Sequence, residues 1–256
     1  MLDNRQAPAV RGWSALSGAA AMTLPKVSLI KPGAGHFDGL PTFRPSELVN
    51  TAPLSAVTVE GIVEKVMNVD RFILTGPPGA GKTTILRQLA EEGFATADEA
   101  ATDVIAAWLQ DGIDEPWTYP SFVDGIVETQ RHRQIDLGNS ARIQFYDRSP
   151  ICTLALAEWL GHPVSDALRF EIERICSERV YRPEVFFVRS LGFMTPTEAR
   201  RISLPDSIRF GELHEEAYLA HGFKLIHIDS APAVQRVESI KRYVEDLRQR
   251  SVPFSA

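Results

Sequence analysis

Between residues 71 and 92 an apolar run, a glycine-rich turn and an amphipathic segment follow one another without a spacer. No other part of the chain constrains its fold so strongly. Arg71-Phe-Ile-Leu-Thr-Gly76 has the length and apolar character of a strand buried on both faces. Lys82 to Glu92 carries Ile85, Leu86 and Leu89 at helical spacing. The turn between them, Gly76-Pro77-Pro78-Gly79-Ala80-Gly81-Lys82-Thr83-Thr84, fits the pattern G-x-x-x-x-G-K-[ST]. Gly79 and Gly81 let the backbone bend so that successive N–H groups converge on one anion. The helix that follows aims its free N-terminal donors at the same point. Lys82 adds a mobile cation, and Thr83 a hydroxyl able to ligate a divalent ion. Residues 76–84 are therefore expected to grip ATP, with Lys82 at the β- and γ-phosphates and Mg²⁺ on Thr83.

Beyond Glu92 the chain alternates short apolar runs with helical periodicity. Phe94–Ala97, Ala141–Tyr146, Glu184–Val188 and Lys224–Asp229 read as strands. The helical stretches between and after them lie within residues 99–109, 121–134, 153–160, 165–178 and 206–220, with a last helix around Val234 to Leu247. The pattern predicts an α/β fold with a five-stranded parallel sheet and helices on both faces. Residues 1–70 differ. Pro8, Pro25, Pro32, Pro41, Pro45 and Pro53 recur there, with Gly33, Gly35 and Gly39 between them. The expected organisation is an irregular N-terminal extension over 1–70, with Val57–Met67 as a short helix or strand, and one nucleotide-binding domain over 71–256.

Composition narrows the function. The charge sum is 27 − 33 = −6, so no global basic field holds nucleic acid, and any phosphate binding is local. No segment approaches the roughly 18 apolar residues of a membrane span. Cys152 and Cys176 form no CxxC pair and are expected to be buried small apolar residues in a reducing cytoplasm. His162, His214, His221 and His227 lack metal-ligand spacing and read as structural, and Trp108, Trp117 and Trp159 as packing residues.

Ligands of open parallel sheets collect beyond the carboxyl ends of the strands. Glu99 and Asp147 both fall there. Asp147 is expected either to hold the hydrated Mg²⁺ or to take a proton from an attacking hydroxyl, and as a plain alternative to cap the helix after Pro150. Glu99 is placed to bind or deprotonate an acceptor. Arg148 stands where ATP-hydrolysing motors usually carry a water-activating glutamate, and a cation there favours transfer over hydrolysis. Arg200, Arg201 and Arg209 cluster between the fourth and fifth strands. A flap there could bring Arg201 and Arg209 to the γ-phosphate. Tyr119, Arg131 and Arg133 precede the third strand and are weaker candidates for touching substrate.

The ordered set Phe72-Ile-Leu-Thr-Gly-Pro-Pro-Gly-Ala-Gly-Lys-Thr-Thr84, Glu99-Ala-Ala101, Tyr146-Asp-Arg-Ser-Pro150 and Tyr218-Leu-Ala-His-Gly-Phe223 resembles kinase-like P-loop proteins labelled AAA-domain ATPases. Relatives of that group include the ribosylnicotinamide kinase part of a bacterial NAD regulator. The resemblance covers about residues 71–248. It implies a nucleoside- or nucleotide-kinase-like core, with Asp147 and Arg148 in the place of the Asp/Glu-Arg-Ser run of deoxynucleoside kinases and Arg201 and Arg209 in a lid. Residues 1–70 have no counterpart in it, and the second helical domain of ring-forming AAA+ machines is missing. The expected activity is Mg²⁺-dependent transfer of the γ-phosphoryl of ATP to a small-molecule acceptor. The alternative is a nucleotide-binding switch or weak ATPase or GTPase acting on a protein partner through residues 1–70.

Overall fold

In a computed structural model, residues 69–192 and 202–250 are described. The expectations for the N-terminal extension, for Val57–Met67 and for Arg200 and Arg201 lie outside the described residues. The first strand, β1 (Asp70–Thr75), leads through the glycine-rich turn into α1 (Lys82–Glu91). There follow β2 (Ala95–Ala97), α2 (Ala100–Gln110), a single 3₁₀ turn at Pro116–Thr118, α3 (Pro120–Leu137), β3 (Ile143–Asp147), α4 (Pro150–Leu160) and α5 (Asp166–Ser177). The described chain then runs through β4 (Glu184–Val188), α6 (Leu204–Ala220), β5 (Lys224–Ile228) and α7 (Ala233–Arg250).

The strands form one five-stranded parallel sheet in the order β2-β3-β1-β4-β5. β1 lies at its centre, which explains why Phe72, Ile73 and Leu74 are all fully buried. Successive side chains point to opposite faces. Phe72 and Leu74 therefore join Ile85, Leu86 and Leu89 of α1 and Val237, Ile240 and Val244 of α7. Ile73 joins the core formed with Val123 and Val127 of α3, Ile151 of α4 and Ile172 of α5 on the other face. Phe72 stacks between Phe145 of β3 and Phe186 of β4, with ring centroids 5.8 and 5.6 Å away, and so ties the three central strands together. A third cluster, with Trp117, Phe122, Ile126 and Phe210, packs α2, α3, α4 and α6 together. No helix among the described residues is long and apolar enough to cross a membrane.

Strand order matters for the site. Because β3 pairs directly with β1, in register Leu74 to Asp147, the carboxyl end of β3 opens beside the turn that follows β1.

Candidate functional site

The turn after β1 is shaped by backbone that only glycine adopts readily. Gly76, Gly79 and Gly81 have φ of +129°, +81° and +91°. At Gly76 a Cβ would lie 2.3 Å from the carbonyl oxygen of Val188, so the end of β4 presses the turn into place. We expect Gly76→Ala to lower stability by about 3 kcal/mol or more, from backbone strain and overlap together, as read by urea unfolding. A loss under 1 kcal/mol would show that the turn is not clamped there. Ala80 N–H closes the turn on Pro77 O at 3.2 Å. Among the described residues, the N–H groups of Gly79, Gly81, Lys82 and Thr83 have no backbone acceptor, as expected for the open N-terminus of a helix. Free donors at a helix N-terminus that follows a glycine-rich turn suit a polyphosphate.

Lys82 is buried, and its Nζ donates to Gly76 O and Pro77 O, each at 3.1 Å. The ammonium thus rests on the loop's own carbonyls, within reach of an anion at those donors. Burial, reinforced by the nearby Arg148 and opposed by Asp147 and Glu99, lowers its pKa to about 8.

Asp147 ends β3 and is 3% exposed. Its Oδ2 accepts from Thr83 Oγ1 at 3.5 Å, while Oδ1 is buried with no hydrogen-bond partner among the described residues. Burial raises its pKa to about 6, against the pull of Lys82. A carboxylate with an orphaned oxygen beside a threonine hydroxyl suits a hard divalent cation. The capping alternative for Asp147 is overturned: α4 is capped by Ser149, whose Oγ accepts from Ile151 N at 3.3 Å. Aspartate and serine are both good N-cap residues, and the geometry selects Ser149.

Arg148 follows with φ of +73°, unusual for a residue with a side chain, and its N–H donates to Leu74 O at 3.0 Å. Arg148 Nε meets Glu99 Oε1 at 2.5 Å, and Nη1 lies 3.3 Å from His214 Nε2. Glu99, at the start of α2, also accepts from Thr102 Oγ1 at 3.3 Å. Burial alone would raise the Glu99 pKa, but Arg148 and Lys82 hold it below its usual range, so the carboxylate is ionised. From the sequence, Arg148 reads as a cation that favours transfer over hydrolysis. In the fold its charge is already met by Glu99. The pair lines a small pocket open to solvent, together with Ala101, Ile126, Gln130, Cys152, Thr153, Leu156, Phe210 and His214.

The other expected residues differ in their surroundings. Thr84 is exposed on the first turn of α1, while Pro77 and Pro78 shape the loop. Arg209 is exposed on α6 and paired with Glu212 at 3.0 Å, away from the buried cluster. Arg131 pairs with Glu171, and Arg133 with Asp103 and the Asp98 carbonyl. Tyr119 is exposed against Trp108, so none of these three lines the pocket. Cys176 is only partly buried, and Cys152 is more than an apolar filler: its Sγ sits 3.2 Å from Thr75 Oγ1 and 3.1 Å from Tyr218 Oη.

Several contributors were missed. Ser207 Oγ on α6 donates to Pro78 O at 2.8 Å, and Gly211 leaves room for the Pro77 ring, which a Cβ would approach to 3.2 Å. Arg236 on α7 is 3% exposed and donates to Ala80 O at 2.6 Å and to Ala231 O at 2.7 Å. His214 faces Arg148. Their only sequence signal is spacing: Ser207, Gly211, His214 and Tyr218 recur at helical intervals and so share one stripe of α6.

Comparisons with known proteins agree with this architecture. The family described as AAA domain matches residues 71–236. No curated protein sequence matches the chain. Two solved structures of the NadR protein are similar. The complex with NR has a TM-score of 0.52 and 18% identity, and covers 70% of this chain and 50% of that one. The complex with NAD and AMP-PNP has a TM-score of 0.52 and 15% identity over the same shares. The chain therefore spans about half the length of those NadR chains. Deoxyadenosine kinase from M. mycoides with bound dATP covers 69% of this chain and 99% of its own, at 16% identity and a TM-score of 0.46. At such identities the likeness to the NadR structures establishes the fold alone.

Proposed function

The chain belongs to the AAA domain family, and within it we propose a Mg²⁺-dependent kinase that moves the γ-phosphoryl of ATP onto a hydroxyl of a small uncharged molecule. One observation carries this reading: the pocket beside the phosphate loop holds a carboxylate, Glu99, and a single guanidinium whose charge that carboxylate already meets. No other lysine or arginine lines it among the described residues. A phosphorylated acceptor would bring two negative charges into a pocket with no cation to spare, whereas a neutral polyol or nucleoside would meet Glu99, Gln130 and Thr153 as hydrogen-bond partners. Ile126, Leu156 and Phe210 supply an apolar wall for its flatter part.

The division of labour between the two carboxylates follows from location. Asp147 faces Thr83, so these two would hold Mg²⁺. Bound there, the ion would neutralise phosphate charge and orient the transferring group. Glu99 lines the pocket, and each of its oxygens keeps a lone pair beyond the bonds from Arg148 and Thr102, so it would accept the hydrogen bond of the acceptor hydroxyl. As the new O–P bond forms, the bond between Pγ and the bridging oxygen breaks. ADP leaves with that electron pair, and the hydroxyl proton passes to Glu99. The free N–H groups of the loop and the ammonium of Lys82 would stabilise the charge spreading over the phosphoryl oxygens.

The test is an ATP-consumption assay with Mg²⁺ and two matched panels, neutral hydroxyl compounds and their phosphomonoesters. We expect at least one neutral compound to raise ADP formation about 10-fold or more over the acceptor-free rate, with its phosphomonoester inert. Stimulation by phosphomonoesters alone would reverse the assignment. Turnover that ignores every acceptor but responds to a protein partner would favour a switch instead.

A further inference from the structure

α6 lays Ser207, Gly211, His214 and Tyr218 along one stripe, and three of the four have complete partnerships. Ser207 holds Pro78, Gly211 admits Pro77, and Tyr218 Oη sits 2.7 Å from Ser149 Oγ. His214 does not. It is fully buried, and its Nε2 lies 3.3 Å from Arg148 Nη1. A guanidinium has no acceptor, so Nε2 must be the bare nitrogen that receives the hydrogen bond. In the neutral ring the proton then resides on Nδ1, and that Nδ1 is buried without a partner among the described residues. An unused buried N–H is costly, and such groups persist where a ligand or water completes them. His214 is also a wall of the pocket that holds Glu99 and Arg148.

Resting on the kinase reading above, we propose that His214 is a specificity-determining residue: its Nδ1–H is a fixed, uncharged donor for an oxygen of the acceptor. The surroundings keep the ring neutral. Burial, with the cations of Arg148 and Lys82 close by, disfavours a second proton, and the Glu99 carboxylate is taken up by Arg148. A donor without charge selects hydroxyl, ether or carbonyl oxygens and rejects an ammonium at the same place. Because the ring also accepts from Arg148, the same residue holds the guanidinium against Glu99.

Two variants separate these roles from simple packing. His214→Leu removes both the acceptor and the donor. His214→Gln restores both, since an amide oxygen can receive Arg148 while the amide nitrogen donates into the pocket. The four ribonucleosides and D-ribose serve as acceptor probes, N-methylanthraniloyl-ATP reports nucleotide affinity, and circular dichroism melts verify folding. For any probe that wild-type protein phosphorylates, His214→Leu should raise its KM by about 10-fold or more. Nucleotide affinity should stay within about twofold, and His214→Gln should return the KM to within about threefold of wild type. An unchanged KM in His214→Leu, or no recovery in His214→Gln, overturns the inference while leaving the kinase reading standing. Wild-type protein that phosphorylates none of the probes overturns the pocket reading and this inference with it. Independently of any substrate, long-range ¹H–¹⁵N correlation spectra of wild-type protein at pH 7 should show the His214 proton on Nδ1. A proton on Nε2, or on both nitrogens, overturns the inference.

Discussion

Replacing Lys82 with methionine should lower ATP turnover by at least about 10²-fold and yet leave a protein that melts a few degrees higher at pH 7. The loss follows from removing the ammonium at the proposed phosphate cradle, since charge stabilisation at a transferring phosphoryl group contributes several kcal/mol. The gain follows from the cost of burying that cation. Its pKa in the folded chain, about 8 against an ordinary 10.5, corresponds to about 3 kcal/mol of destabilisation while the ammonium stays charged. Methionine removes this cost but gives up the bonds to Gly76 O and Pro77 O and leaves Asp147 without its countercharge. The remainder is a rise in thermal midpoint of about 2–4 °C. The sign with pH is fixed: the wild-type penalty is full below about 8 and fades as pH rises toward 10.5, so the advantage of the variant should shrink over that interval. Thermal melts at pH 7 and 9.5, with a coupled ATP assay, test both halves. Near-wild-type turnover would remove Lys82 from the site, and a lower midpoint at pH 7 would refute the burial argument.

Asp147→Asn should show the same opposition. We expect transfer to fall by about 10²-fold or more because the proposed metal ligand is lost, while metal-free nucleotide affinity stays within about threefold. Equal loss of both would reduce Asp147 to a structural role. Here the folded pKa is raised, from 3.8 to about 6, so the folded protein carries a penalty of about 2–3 kcal/mol wherever the carboxylate must be ionised. That penalty is complete above about pH 6 and absent below about 3.8. The asparagine variant should therefore be more stable than wild type at pH 7.5, with the difference closing as pH falls toward 4. Both replacements describe a site held in a configuration the fold alone would not choose, which is how a protein keeps buried charge ready for a ligand.

Much of this protein is legible locally. Residues 76–84 specify their own conformation, because glycines at positive φ, a proline pair and a helix start interact over a few positions along the chain. The alternation of strand and helix is equally local, since burial on one face imposes periods of 2.0 and 3.6 whatever the neighbours are. Expected and observed elements accordingly differ mainly at their ends. β3 extends to include Asp147, and α4 begins at Pro150 because Ser149 caps it.

The roles of single charged residues were not legible in the same way. Arg148 reads from sequence as a cation that favours transfer over hydrolysis, and it is the fold that brings Glu99 and His214 against it across separations of 49 and 66 residues. Periodicity sorts residues onto faces but carries no information about which strands are neighbours, and that order decides which side chains converge at the carboxyl edge. The amino-acid sequence by itself therefore determined the glycine-rich loop and the layered α/β build. Only the tertiary structure decided that the adjoining pocket is electrically balanced, because charge balance depends on distances between groups that the chain holds far apart.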